Sequence, residues 1–249
     1  DGVQVSVSSK DSISSGFDVD HCELIVYGEM IVEGNARFTV EESLEPDKGW
    51  AGIFLLNGQF INEKLLDVGQ AYWGIVRSHL PPGKIVWDGV RKIYGDLNIS
   101  KESELLIESG AQLIFSATDL FFKGASSTYT ELNIEGSFRV AGTVGQPVRF
   151  FVERGKVDEP IWYGIRQTDT ARSIIEHAEI ERAGYAFSGE VGEFGSFKLS
   201  DVIMRDLGAS GIRLTVSGQA EISRSVISRS AGPAIWAGGD GRLLLNQVE

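Results

Sequence analysis

The sequence is short of several things. It has one cysteine, Cys22, so no disulfide closes within the chain. Long secreted repeat proteins often need none, so the compartment stays open on this point. It has 6 prolines against 30 glycines, which indicates many tight turns rather than a flexible linker. Positive charge is scarce: 23 Lys and Arg stand against 35 Asp and Glu, a formal charge of −12. A surface of that sign argues against nucleic acid and anionic membrane as partners. No apolar run reaches the roughly 18–20 residues that span a bilayer, so membrane insertion is not expected. No stretch of a dozen residues sustains a helical period. Motifs of familiar active sites are missing: there is no Gly-rich phosphate loop, no H-E-x-x-H, no paired C-x-x-C and no G-x-S-x-G.

What is there is repetition. Residues 23–34 read ELIVYGEMIVEG and residues 131–142 read ELNIEGSFRVAG. Both fit E-L-x-φ-x-G-x-φ-x-V-x-G, where φ is apolar. A second series occupies the C-terminal part. Ile175, Leu199, Ile222 and Leu245 open similar segments, at spacings of 24, 23 and 23 residues. The register runs on through each copy: Gly211-Ile212 falls on Ala234-Ile235, and Met204 falls on Ile227. Apolar residues come in alternating bursts of three to five, which suits strands. A repeat of this length built from short strands and turns predicts a β-solenoid, whose coils stack in parallel about 4.8 Å apart. The polar stretches Glu41–Lys48, Gly155–Glu159 and Gly189–Gly195 break the alternation and are expected to be loops ejected from the coils.

The runs Ile85-Val-Trp-Asp-Gly, Gly95-Asp-Leu-Asn-Ile and Leu105-Leu-Ile-Glu-Ser-Gly-Ala-Gln-Leu-Ile-Phe resemble right-handed parallel β-helix repeat proteins of bacterial surfaces and secretomes. So does the succession Gly136-Ser-Phe-Arg-Val-Ala-Gly142, Pro147-Val-Arg-Phe-Phe151, Trp162-Tyr-Gly-Ile165. The resemblance covers roughly residues 20–249. It implies a single right-handed β-helix of roughly ten coils over residues 1–249, and it leaves function open, because the same architecture serves lyases, hydrolases, adhesins and stalks. Within that domain, residues of about 20–80 and about 95–190 form a duplicated module. Gly34 is followed by Trp50-Ala-Gly-Ile53 as Gly142 is by Trp162-Tyr-Gly-Ile165. Regular coils occupy 173–249.

Three groups of residues carry candidate chemistry. At the 23–24 residue period His177, Asp201, Arg224 and Gln247 share one column. Arg182, Asp206 and Arg229 share another, and Glu181 sits beside Arg205. Stacked coils bring such neighbours within about 5 Å. Their mostly alternating signs suit a solvated charge ladder, worth about a few tenths of a kcal/mol per pair. The alternative makes His177 and Asp201 an acid–base pair acting on a polysaccharide. The second group is Arg166, Arg213 and Trp236, each following an isoleucine of the repeat. Strand alternation puts the residue after a buried isoleucine outside, and Trp beside Arg on a flat sheet makes a sugar-stacking platform. Packing of Trp236 under a neighbouring loop or coil is the competing account. The third group is Asp18 and Asp20, flanking Val19, and Asp240 in a Gly-Asp-Gly turn. Their oxygens suit Ca²⁺, but neither site follows the nonapeptide Ca²⁺ roll, and ordinary turn chemistry accounts for both. No other cofactor is indicated.

These residues favour a non-catalytic structural, adhesive or assembly module of a secreted or cell-surface protein over an enzyme. The rivals are a polysaccharide lyase or glycoside hydrolase, and a carbohydrate-binding module. The last segment, Leu245-Asn-Gln-Val-Glu249, begins another coil in register. The chain is therefore expected to be part of a longer one, or to dock an adjacent domain or subunit through an open C-terminal coil.

Overall fold

The computed structural model describes the backbone of residues 4–7, 23–27, 30–31, 36–40, 52–56, 60–61, 66–67 and 72–79. It describes backbone and side chains of residues 80, 82–93, 95–116, 125–152 and 161–249. Among the described residues the regular structure is all β, with no helix, and its long sheets are parallel, an arrangement consistent with a β-solenoid. The chain divides into two compact units, residues 1–76 and 77–249.

The first unit holds β1 (Gln4–Val7), β2 (Glu23–Tyr27), β3 (Met30–Ile31), β4 (Ala36–Val40), β5 (Gly52–Leu56), β6 (Phe60–Ile61) and β7 (Leu66–Asp67). Its pairings are parallel: β1 with β4, β4 with β7, β2 with β5, and β3 with β6. β8 (Tyr72–His79) crosses the division. The second unit continues with β9 (Gly83–Trp87), β10 (Val90–Ile93), β11 (Leu97–Ile99), β12 (Ser103–Glu108), β13 (Gln112–Phe115), β14 (Glu131–Ile134), β15 (Ser137–Ala141), β16 (Val148–Val152) and β17 (Trp162–Gln167). It ends with β18 (Arg172–Glu181), β19 (Ala183–Val191), β20 (Ser196–Leu207), β21 (Ile212–Val216), β22 (Gln219–Ser230), β23 (Ile235–Gly238) and β24 (Arg242–Val248).

In the second unit the chain visits three parallel ladders in rotation. The first contains β9, β12, β15 and the leading halves of β18, β20, β22 and β24. The second contains β10, β13, β16 and the trailing halves of β18, β20 and β22. The third contains β11, β14, β17, β19, β21 and β23. Parallel strands need a long crossover, and here the other two ladders supply it.

Register follows the periods read from the sequence. Ile175 pairs with Leu199, Leu199 with Ile222, and Ile222 with Leu245. Met204 pairs with Ile227 and Ile212 with Ile235. The duplicated dozen also behaves alike in both units. Glu23 lies opposite Gly52 and Leu24 opposite Ile53, as Glu131 lies opposite Gly164 and Leu132 opposite Ile165. Gly28, Gly34, Trp50 and the stretches 41–48 and 155–159 lie outside the described residues. One loop expectation is corrected. Residues 189–191 complete β19 and only residues 192–195 turn, because Val191 is buried and pairs with Val216.

Alternation sets the core. In β12, Leu105 and Ile107 are buried while Glu108 is exposed, and β21 buries Ile212, Leu214 and Val216 with exposed residues between. Early rungs bury bulky rings: Trp87, Phe115, Phe138, Phe150 and Trp162. Trp162 stacks on Phe115 with ring centroids 4.0 Å apart, and its indole N–H donates to the Glu181 carbonyl at 3.1 Å. Such pairs add about 0.5–1.5 kcal/mol beyond the area they bury. After Phe187 and Phe197 the interior turns aliphatic, with Leu199, Val202, Met204, Leu214 and Ile222. β24 leaves Leu244 and Leu245 exposed.

Candidate functional site

The two charged columns of the sequence are the bends between ladders. His177, Asp201, Arg224 and Gln247 join the first ladder to the second within β18, β20, β22 and β24. Arg182, Asp206 and Arg229 stand at the far end of the second. All seven have left-handed backbone, with φ from 45 to 59°. A single residue of this kind between extended ones bends the strand as a bulge does. For a residue with a side chain it costs about 1–2 kcal/mol.

Ion pairing holds the columns across rungs. Arg224 donates to both oxygens of Asp201, at 2.9 and 2.6 Å. Arg229 grips Asp206 in the same way, at 2.5 and 2.7 Å. These hydrogen bonds hold both carboxyls below their ordinary range, against a smaller opposing effect of burial. Glu181 pairs with Arg205, and Arg149 bridges Glu179 at 3.2 Å. Asp201 is thus committed to a guanidinium and stays ionised at neutral pH. His177 stands opposite Asp201 on the preceding rung, and its effect on that carboxyl is smaller than that of the Arg224 hydrogen bonds.

The third ladder carries a different surface. Asn133 pairs with Arg166, Arg166 with Ser188, Ser188 with Arg213, and Arg213 with Trp236. Arg166, Arg213 and Trp236, separated in sequence, therefore form one column along the ladder. Ile165 and Ile212 before them are buried, as alternation requires, and Trp236 is 46% exposed. The Arg213 guanidinium lies over the Trp236 ring, 5.5 Å from its centroid.

Beside the column is a groove of about 620 Å³, whose walls include Tyr163, Tyr185, Ser188, Arg166, Arg213 and Trp236. A register shift between Gly164 and Ile165 places Tyr185 opposite Gly164 and Phe187 opposite Ile165. Such an irregularity re-aims neighbouring side chains. Gly164 has φ +125°, and a Cβ there would lie 1.7 Å from the Tyr185 carbonyl oxygen, so no other residue fits. The Tyr163 and Tyr185 rings stand 5.7 Å apart, tilted at 56°. Burial, then the Glu131 charge and Tyr185, push the Tyr163 phenol above its ordinary value, against the pull of Arg166 and Arg213. Its hydroxyl is therefore a donor at neutral pH. Ser188 is 8% exposed, and its hydroxyl has no hydrogen-bond partner among the described residues. An unmatched buried hydroxyl costs about 1–3 kcal/mol, which a polar ligand recovers.

Tyr163, Tyr185 and Ser188 were not legible as site residues. The shift inserts Ala186 into the pairing, so Ser188 falls off the 23-residue period. The one available signal was Tyr163 preceding Gly-Ile. Of the remaining candidates, Asp240 is exposed between β23 and β24, and Asp18 and Asp20 lie outside the described residues. Among the described residues no three His, Cys, Asp or Glu side chains gather as a metal site. No helix among them is long and apolar enough to cross a membrane.

Fold and site together define a class: an all-β, parallel-stranded repeat protein with a polar, aromatic groove on one outer sheet. No protein-family model, curated protein or solved structure matches the chain.

Proposed function

We propose that this chain is a non-catalytic adhesive module of a secreted or cell-surface protein, built as a right-handed parallel β-helix, and that it binds carbohydrate along its third ladder. The right-handed twist follows the general preference of parallel crossovers. The observation that carries the function is the groove beside the Arg166–Ser188–Arg213–Trp236 column. Sugars present apolar faces and hydroxyl edges. Trp236 and the two tyrosines offer faces for the former, and Ser188, Arg166 and the Tyr163 hydroxyl offer hydrogen bonds for the latter. The competing site, His177 with Asp201, is occupied by the Arg224 ion pair and lies at a bend outside the groove.

A glycan array tests the reading, with hits followed by calorimetry on wild type and Trp236→Ala. The expected result is binding that falls at least tenfold in the variant while its circular dichroism and melting stay unchanged. Binding equal in both proteins places the ligand elsewhere and overturns the reading. Turnover of the bound glycan overturns its non-catalytic part.

A further inference from the structure

We infer that the ligand is an extended glycan bearing spaced anionic groups, and that it leaves the groove over the turn at residues 168–171 to reach a second subsite on the first ladder. The inference rests on the carbohydrate reading above and adds a charge class and a path.

The second subsite is a depression of about 440 Å³ walled by Lys101, Ser137, Thr170, Arg172 and Phe194. Ser137 and Arg172 pair across rungs at the starts of β15 and β18. Phe194, 79% exposed, stands at the turn between β19 and β20. Thr168 and Asp169 line the groove and Thr170 lines the depression, so one short turn separates them. Each site thus offers cations and an exposed aromatic ring.

The distribution of ion pairs supplies the charge argument. In a chain of formal charge −12, carboxylates outnumber cations. Arg149 and Arg205 on the second ladder, Arg224 and Arg229 at the bends, and Lys84 and Lys198 on the first ladder all have one. Among the described residues Arg166 and Arg213 in the groove, and Lys101 and Arg172 in the depression, have none within ion-pair reach. Arg139 and Arg242 share that state, and both belong to first-ladder strands, β15 and β24. The second ladder, by contrast, keeps Arg149 and Arg205 paired. A guanidinium held near an aromatic surface and free of a carboxylate is suited to a carboxylate, sulfate or phosphate ester on a ligand.

Acidic residues limit what fits. Asp169 and Glu190 line the groove and Glu135 lines the depression. They repel a polyanion charged at every unit along its length, such as a nucleic acid. A glycan whose charged groups alternate with neutral hydroxyls meets cations at the former and accepting carboxylates at the latter.

Calorimetry with three oligosaccharide series tests this: one uronate, one sulfated and one neutral, each from two to eight sugar units. The expected result is at least tenfold tighter binding of one acidic series than of the neutral one, weakening with added salt. Affinity should rise with length until both subsites are filled. The series that binds identifies the anionic group. Lys101→Ala with Arg172→Ala should reduce long-chain affinity to the short-chain value and leave short chains unaffected. Lys101→Arg with Arg172→Lys keeps the charges and should restore most of the gain. Equal affinity for neutral and acidic series overturns the charge class, and long-chain binding unchanged in the double alanine variant overturns the path. In either case Trp236-dependent binding leaves the carbohydrate reading standing, whereas no binding of any series removes both.

Discussion

Early and late rungs of the second unit solve the same geometrical problem in two ways. Among β9 to β17 every pairing joins a strand to the third after it, and β16 and β17 then pair onward with β18 and β19, the second after each. Among β18 to β24 every pairing joins a strand to the second after it. The change arises at the bend between the first and second ladders. Early on, Gly89 and Gly110 (φ +64° and +77°) interrupt the strand there. Later a single left-handed His, Asp, Arg or Gln bends it without interrupting it. Glycine makes the turn without steric strain. Charged residues accept the strain and offset part of it with pairs such as Asp201–Arg224 and Asp206–Arg229. The interiors differ too: buried aromatic rings run from the early rungs as far as Phe187 and Phe197 in β19 and β20, and aliphatic side chains fill the rungs after them. A bend can thus be encoded by freedom from a side chain or by a side chain with a partner one rung away.

The largest expected effect breaks the early rungs at their core. Trp162→Ala removes the stack on Phe115 and the hydrogen bond to the Glu181 carbonyl, and should cost about 3–5 kcal/mol in urea unfolding. Hydrogen exchange should show the loss first in β13, β14 and β17. A uniform loss across all rungs would mean the two regions unfold as one.

A smaller effect separates two kinds of glycine. Gly164→Ala places a Cβ into the Tyr185 carbonyl, and should cost about 2–4 kcal/mol. Gly110→Ala meets nothing closer than Gln146 at 3.7 Å, so it should cost only the backbone term of about 1–2 kcal/mol. Equal losses would show that backbone strain, not close approach, selects both.

The smallest effect concerns the charged bends. The Asp201 and Asp206 carboxyls are held below their unfolded values by guanidinium hydrogen bonds. Their contribution is therefore fully present above about pH 4 and is lost as pH falls through the folded values. Exposed pairs contribute little, so Asp201→Asn and Asp206→Asn together should lower the melting temperature slightly at pH 7. The difference from wild type should vanish in acid and shrink in high salt. A difference that persists at pH 2 would assign it to backbone preference instead.

Much of the repeat was legible because stacking converts sequence period into contact. A spacing of 23 or 24 residues sufficed to place Ile222 on Leu199, and Arg224 on Asp201. The same logic located Arg166, Arg213 and Trp236 on one sheet, since each follows a repeat isoleucine. Left-handed backbone at the charged columns was not legible, because glycine is the usual marker of that conformation and the columns mix Asp and His, which adopt it occasionally, with Arg and Gln, which are not enriched in it. The groove escaped for another reason. Tyr185 and Ser188 enter it through a one-residue register shift, and a shift of one moves side chains off their expected face.

Sequence by itself determined the all-β class, the parallel register of the regular repeats and the sidedness of strands such as β12 and β21, because period and alternation are local. It also determined which residues stack, since neighbours along a ladder are set by counting. Tertiary structure decided where the strand breaks and where it only bends. It decided which cations met a carboxylate and which were left facing solvent. It made a groove from the four column residues Arg166, Ser188, Arg213 and Trp236 together with Tyr163 and Tyr185. The physical reason is that a bend and a register shift depend on backbone angles at single residues, and on what the next rung presents to them.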